Sequence, residues 1–203
     1  MVRRVFWQSY VVVFESLNHI TQIPTSNTLH QVLNGVVTVA NIGDSRIIAV
    51  ESKDNTHVKG VDISHDHKPD LPSEKERIER RGGRVFAIQY DDGGPSPARV
   101  WLKDKMLPGL AMSRSLGDTV AKQAGVISNP EITRRVLSHD RDRYLVLGSD
   151  GLWEFIESQE VAEIVYKIGN PQKIVKTLMA LSRKRWLENE PVSDDTTIIV
   201  VKL

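Results

Sequence analysis

The sequence contains no cysteine, which excludes disulfides, thiolate catalysis and Cys-type zinc sites while leaving the compartment open. It also has almost no net charge, with 27 Lys and Arg against 26 Asp and Glu. So balanced a chain projects no long-range field toward nucleic acid or an anionic membrane, and no local basic patch compensates. Neither is expected as a partner, and a monomer is expected. Long hydrophobic runs are missing too. The apolar stretch within residues 5–14 is interrupted by Gln8 and Ser9 and ended by Glu15, so it is too short to span a bilayer. No small-residue cleavage site follows it, as a signal peptide would require. There is no internal repeat and no low-complexity tract. What is present, 203 residues of which 40% are hydrophobic, buries roughly 70% of its unfolded surface and supports one sizeable core.

Phe6, Tyr10, Val13, Phe14 and Leu17 fall at helical spacing, so residues 1–22 are expected to hold a core-facing amphipathic helix, with the main domain running from 23 to 203. Asn34-Gly35 is a hairpin dipeptide, and the β-rich runs on either side of Gly43-Asp44-Ser45 predict two strands joined by a tight acidic turn. Ser73 to Glu76, after Pro72, read as a capping box opening a polar helix that stops at Gly82-Gly83. Residues 84–88 predict another strand, and residues 91–97, rich in Asp, Gly and Pro, read as a mobile loop. Later, Tyr144 to Leu147 form a short apolar strand. Ser158 is expected to cap a helix carrying Val161, Ile164, Val165 and Ile168 and ending at Gly169, and Asn170-Pro171 to open a second with Ile174, Leu178 and Trp186 on one face. Residues 197–201 predict a final buried strand. Strands broken by helix pairs, without regular βαβ alternation, favour an α+β fold with helices packed on antiparallel sheets.

Three apolar strands end or begin at acidic residues: Asp44, Asp150 and Asp194. Carboxylates converging at one rim repel each other and are best held together by a cation. An all-oxygen set suits Mg²⁺ or Mn²⁺. Gly151 allows the backbone to approach such an ion and offers a carbonyl ligand, and Glu154 lies one helical turn beyond Asp150. Asp beside Gly or Ser at a strand end is equally ordinary turn chemistry, so spacing alone leaves both readings open. His65 and His67 form a His-x-His pair read as structural, and Arg114 is read as a turn residue.

Five ordered motifs carry a resemblance: residues 39–46 around Gly43-Asp44-Ser45-Arg46; Asp66-His67-Lys68-Pro69 with Glu74 to Ile78 and Gly82-Gly83; residues 110–118 around Met112-Ser113-Arg114; Ser149-Asp150-Gly151-Leu152-Trp153-Glu154; and Asp194-Asp195-Thr196-Thr197. From about Asn34 to Leu203 the chain resembles the metal-dependent Ser/Thr protein phosphatases of the 2C class (PPM type). The resemblance implies a four-layer α-β-β-α sandwich, a binuclear Mn²⁺ or Mg²⁺ centre, and direct attack of a metal-bridging water on phosphoserine or phosphothreonine of a phosphoprotein. It implies Asp150 and Asp194 as catalytic metal carboxylates, Asp44 and Glu154 as holders of a third, weaker ion, and the stretch from Ile88 to Leu107 as a flap that selects substrate. A cytoplasmic or nuclear location fits. Gly43-Asp44-Ser45 also resembles the block of Gly-Asp-Ser lipases. That alternative lacks its histidine base, because the last histidine is His139 and no Asp-x-x-His follows.

The chain departs from the 2C pattern at its start. No Asp-Gly-His-Gly motif occurs, and in the family that motif's aspartate bridges both metals. Two carboxylates that touch the ions directly are too few for a two-metal site. The chain is therefore expected to be the C-terminal portion of the family domain and a poor catalyst by itself, with a truncated or catalytically dead regulatory module as the alternative.

Overall fold

The computed structural model describes residues 9–14, 27–33, 35–54, 57–89 and 96–203. One four-stranded antiparallel sheet has the order β1 (Ser9–Phe14), β2 (Asn27–Leu33), β3 (Val36–Ile42), β9 (Glu131–Val136). A second has the order β11 (Ile198–Lys202), β10 (Asp142–Gly148), β4 (Arg46–Ser52), β5 (Val58–Asp62). A small three-stranded sheet joins β6 (Arg84–Phe86), β7 (Arg99–Trp101) and β8 (Pro108–Leu110). The predicted hairpin is present. Leu33 pairs with Val36 across a turn in which Gly35 has φ +74°, a conformation glycine adopts without steric cost.

Alternation along the strands divides the core. Val37 and Val39 of β3 face Ile47 and Ala49 of β4 and Leu145 and Leu147 of β10, filling the space between the two large sheets. The opposite face of the second sheet, through Ile48, Val50, Tyr144 and Val146, packs on three helices: α3 (Asp150–Trp153), α4 (Ser158–Ile168) and α5 (Pro171–Asn189). A third cluster joins α1 (Pro72–Arg80) and α2 (Thr119–Gln123) to the small sheet through Ile78, Val100, Leu110 and Ala121. Arg135 of β9 pairs with Glu51 and, at 2.7 Å, with buried Asp142, bridging the two large sheets with charge. The architecture is α+β, with helices, sheet and sheet as three successive layers. Ile132, Arg134 and Val136 are exposed on the first sheet's outer face, which no described helix covers.

The expected N-terminal helix is corrected. Ser9–Phe14 is a strand paired in register with β2, Ser9 opposite Val32 and Phe14 opposite Asn27. Val11, Val12 and Val13 are β-branched, stiff at χ1 and suited to a pleated surface, and this outweighs an apolar spacing that a helix would also satisfy. The remainder of 1–22 lies outside the described residues, as does most of the loop expected at 91–97. The capping box does not form. Helix α1 starts after Leu71 with Pro72 in its first turn and no side-chain cap, while Glu74 turns inward. Ser158 is likewise not a cap. It is the first residue of α4, and its hydroxyl donates to Asp62 Oδ1 (2.6 Å) while accepting from Arg46 (3.0 Å). Asn170 and Gly169 behave as read: Asn170 accepts from Lys173 N, and Gly169 ends α4 at φ +68°.

Candidate active site

Strand register sets the rim. Arg46 of β4 lies opposite Gly148 of β10, which lies opposite Ile198 of β11. The residues just beyond these ends, Asp44, Asp150 and the 194–197 segment, therefore reach one edge of the helix-backed sheet. Ser149 ties two of them together. Its N–H donates to Thr197 O (3.1 Å), its hydroxyl donates to Asp195 O (3.2 Å), and Thr197 N–H donates back to that hydroxyl (3.0 Å). Asp150 opens α3, and Asp194 is exposed, its Oδ1 accepting from Asp195 N–H (2.7 Å).

Gly151 does not match its expected role as a carbonyl ligand. Its oxygen accepts from Ser182 Oγ and from Trp186 Nε1, both at 2.7 Å, so both lone pairs are engaged inside the protein. The glycine is required for another reason. A Cβ there would lie 2.4 Å from Asp195 O, so the bare backbone is what lets α3 and the 194–197 segment touch.

Asp44 and Glu154 do come together, around Lys68. The Lys68 ammonium is 2.9 Å from Asp44 Oδ2 and 3.7 Å from Glu154 Oε2. Burial pushes that ammonium's pKa down, but the Asp44 carboxylate, with Glu154 and Asp66 behind it, outweighs burial and leaves it above the ordinary lysine value. Arg46 completes the rim, held by both Asp66 oxygens at 2.9 and 2.8 Å and stacked 5.3 Å from the Trp153 ring centre.

Below the rim sits a charge cluster on Glu74, which is 3% exposed. Arg114 contacts both carboxylate oxygens, Arg77 reaches Oε1 at 2.7 Å and Ser113 Oγ donates to Oε2. Burial pushes this carboxyl up, and the hydrogen bonds from Arg114, Arg77 and Ser113 overcome it, holding the pKa at about 2. Arg114 is thus a clamp between α1 and its own loop rather than a turn residue. The same loop fixes His67, whose carbonyl accepts from Ser113 N–H (2.8 Å). His67 Nδ1 accepts from Gly43 N–H (3.1 Å), and burial, with the Arg114 charge, pushes the imidazole pKa down. His65 pairs with Glu131 at 2.8 Å. Each histidine thus has its Nδ1 engaged within the protein. Sequence reasoning met Lys68, Glu74 and Arg77 only as parts of motifs and gave neither them nor Glu131 these partners. Apart from Arg77, which stands one helical turn from Glu74, their partners lie at least 24 residues away, Glu154 lying farthest from Lys68. Only the Glu74–Arg77 spacing was a usable signal.

The donor set does not fit a binuclear metal centre. The Gly151 carbonyl is committed, and among the described residues no three His, Asp or Glu side chains gather closely enough to hold a metal ion; Asp44 and Glu154, expected to hold a third ion, face the Lys68 ammonium.

The family model "Protein phosphatase 2C" matches residues 23–189. The chain is similar to "Probable protein phosphatase 2C 52" of Arabidopsis thaliana, 41% identical over 167 residues that cover 81% of this chain and 35% of that protein. It is also similar to "Probable protein phosphatase 2C 12" of Oryza sativa subsp. japonica, 38% identical over 81% of this chain and 42% of that protein. The chain thus spans less than half the length of these relatives. A solved serine-threonine phosphatase 2C from Toxoplasma gondii superposes with a TM-score of 0.73 at 24% identity, over 88% of this chain and 58% of that one. A C. elegans sex determining protein gives 0.66 at 19% identity, over 87% and 40%. At these identities the superpositions speak for the fold alone.

Proposed function

Because this chain belongs to the protein phosphatase 2C family, we propose that it is the part of a phosphoprotein phosphatase domain that carries the helix-backed sheet and two of the active-site carboxylates, Asp150 and Asp194. Metal dependence is a property of the family, and its substrates are proteins phosphorylated on serine or threonine. The observation that supports the reading is the strand register, in which Arg46 of β4, Gly148 of β10 and Ile198 of β11 stand opposite one another, with Asp44, Asp150 and Asp194 in the segments just beyond them. Within the completed domain this chain's residues act as scaffold. Ser149 and Gly151 hold the Asp150 and Asp194 segments against each other, and the Glu74 cluster fixes the loop that places Lys68 beside Asp44. The ligands needed to complete an ion pair, above all an Asp-Gly-His-Gly aspartate, are not in this sequence.

The chain alone is expected to release phosphate from a phosphothreonine peptide in Mn²⁺ no faster than its Asp150→Ala variant. Robust Mn²⁺-dependent turnover that Asp150→Ala abolishes would contradict this. Fusing the chain to the N-terminal portion of the Arabidopsis relative, which restores the missing segment, should yield Mn²⁺-dependent hydrolysis lost in Asp150→Ala and in Asp194→Ala. A folded fusion without activity decides instead for a catalytically dead regulatory or binding module, a reading that the Asp44–Lys68–Glu154 closure supports.

A further inference from the structure

Asp44 is the most enclosed carboxylate at the rim. It lies between β3 and β4, 1% exposed, after Gly43 at φ +97°. Oδ2 accepts from Lys68, whereas Oδ1 is buried with no hydrogen-bond partner among the described residues. A buried carboxylate oxygen in that state is costly unless charge stands close by. The cation that stands close by is part of the fold. His67 N–H donates to Gly43 O (2.9 Å) and Gly43 N–H donates back to His67 Nδ1 (3.1 Å), so residue 67 is stitched to residue 43 and residue 68 is delivered alongside residue 44. Ser113 fixes the same loop from behind, its N–H donating to His67 O (2.8 Å). Glu154 approaches the ammonium from the end of α3 at 3.7 Å.

We propose that Lys68 is the resident cation of the Asp44–Glu154 pair and excludes a divalent ion from it. The pair is the one for which the family resemblance implies a weak third ion, and an ammonium stands between its two carboxylates here. A Mg²⁺ or Mn²⁺ ion needs near-octahedral oxygen ligands about 2.1 Å away. Placed on Asp44, it would sit within ~4–6 Å of a fixed like charge, the range in which such charges strongly disfavour one another. The ammonium needs no such shell. It supplies three donors and is anchored through its own backbone. The inference concerns ion occupancy and stands whether or not the completed domain turns over substrate.

The test counts bound Mn²⁺ by electron paramagnetic resonance on the full chain, without reference to activity. Lys68→Met and Lys68→Gln should each gain one Mn²⁺ per chain over the wild type, and adding Asp44→Asn should remove that gain. Folded Lys68 variants that gain no ion overturn the proposal, and so does a Mn²⁺ bound by the wild type that Asp44→Asn alone abolishes. Should the variants fail to fold, the wild type provides its own test. In a titration with diamagnetic Mg²⁺, the Lys68 side-chain ¹³Cε resonance should stay in place to saturation. A shift signalling displacement of Lys68 from Asp44 overturns the proposal.

Discussion

Glu74 concentrates three donors, Arg114, Arg77 and Ser113, on one buried carboxylate, and its effect on stability has a definite sign. Its folded pKa, about 2, lies below the ordinary value of 4.5. The unfolded chain therefore takes up the proton first as pH falls. The contribution is fully present above pH 4.5 and is lost as pH drops toward 2. The shift corresponds to stabilisation on the order of 3 kcal/mol. Glu74→Gln should lower the urea midpoint at pH 7 and flatten the decline in stability between pH 4.5 and about 2. A variant declining as steeply as the wild type across that window would assign the effect to other groups. Locally, only the Glu74–Arg77 spacing announces this cluster. Ser73 and Glu76 carry the spacing of a capping box, but α1 begins one residue before Ser73, at Pro72, and Glu76 faces Arg80 at 3.6 Å instead of reaching back to the helix start. Of the rim residues, Asp44, Asp150 and Asp194 were legible because each follows or precedes an apolar strand. Lys68 was not, because its partner is 24 residues away and is brought near only by the His67–Gly43 stitching.

At the scale of elements, helix starts with strong side-chain signals read true and ambiguous ones did not. Asn170-Pro171 combines an acceptor with a fixed φ, and α5 begins there. The valine run at residues 11–13 satisfied helical and strand periods alike, and pairing with β2 decided for the strand. The contact of α3 with the segment before β11 depends on one position. A Cβ at Gly151 would meet Asp195 O at 2.4 Å and Thr196 Oγ1 at 2.7 Å. Since the first of these is backbone, the clash is relieved only by moving the segment that carries Asp194. Gly151→Ala should cost about 1–3 kcal/mol, in the range for overpacking, seen as a lowered denaturant midpoint with an unchanged slope. The amide resonances of residues 194–197 should shift more than those of β5. A variant as stable as the wild type, with those resonances in place, would show that the segment has room to spare.

Across the whole molecule, the sequence supports four layers by resemblance and the described residues build three. The missing cover is over the first sheet. Its inner face meets the second sheet through Val37 and Val39, while its outer face shows Val136 75% and Ile132 54% exposed. The second sheet has apolar packing on both faces, from the other sheet on one side and from α4 and α5 on the other. Local opening costs least where the fewest apolar contacts are broken. Stability should therefore fall from the helix-backed sheet toward the bare one. Native-state hydrogen exchange tests this directly: amides of β9 such as Thr133 and Arg135, although paired with β3, should exchange at least about tenfold faster than Val146 and Leu147 in β10. The Arg135 bridge to Glu51 and Asp142 works against that gradient by tying β9 to the stable sheet, so Arg135→Ala should widen the difference rather than speed exchange in both sheets alike. Equal protection in the two sheets would mean that inter-sheet packing alone makes one cooperative unit. Completing the domain with the N-terminal portion of a relative should raise protection selectively in β3 and β9, because an outer helical layer would bury Ile132 and Val136 and leave the contacts of β10 unchanged.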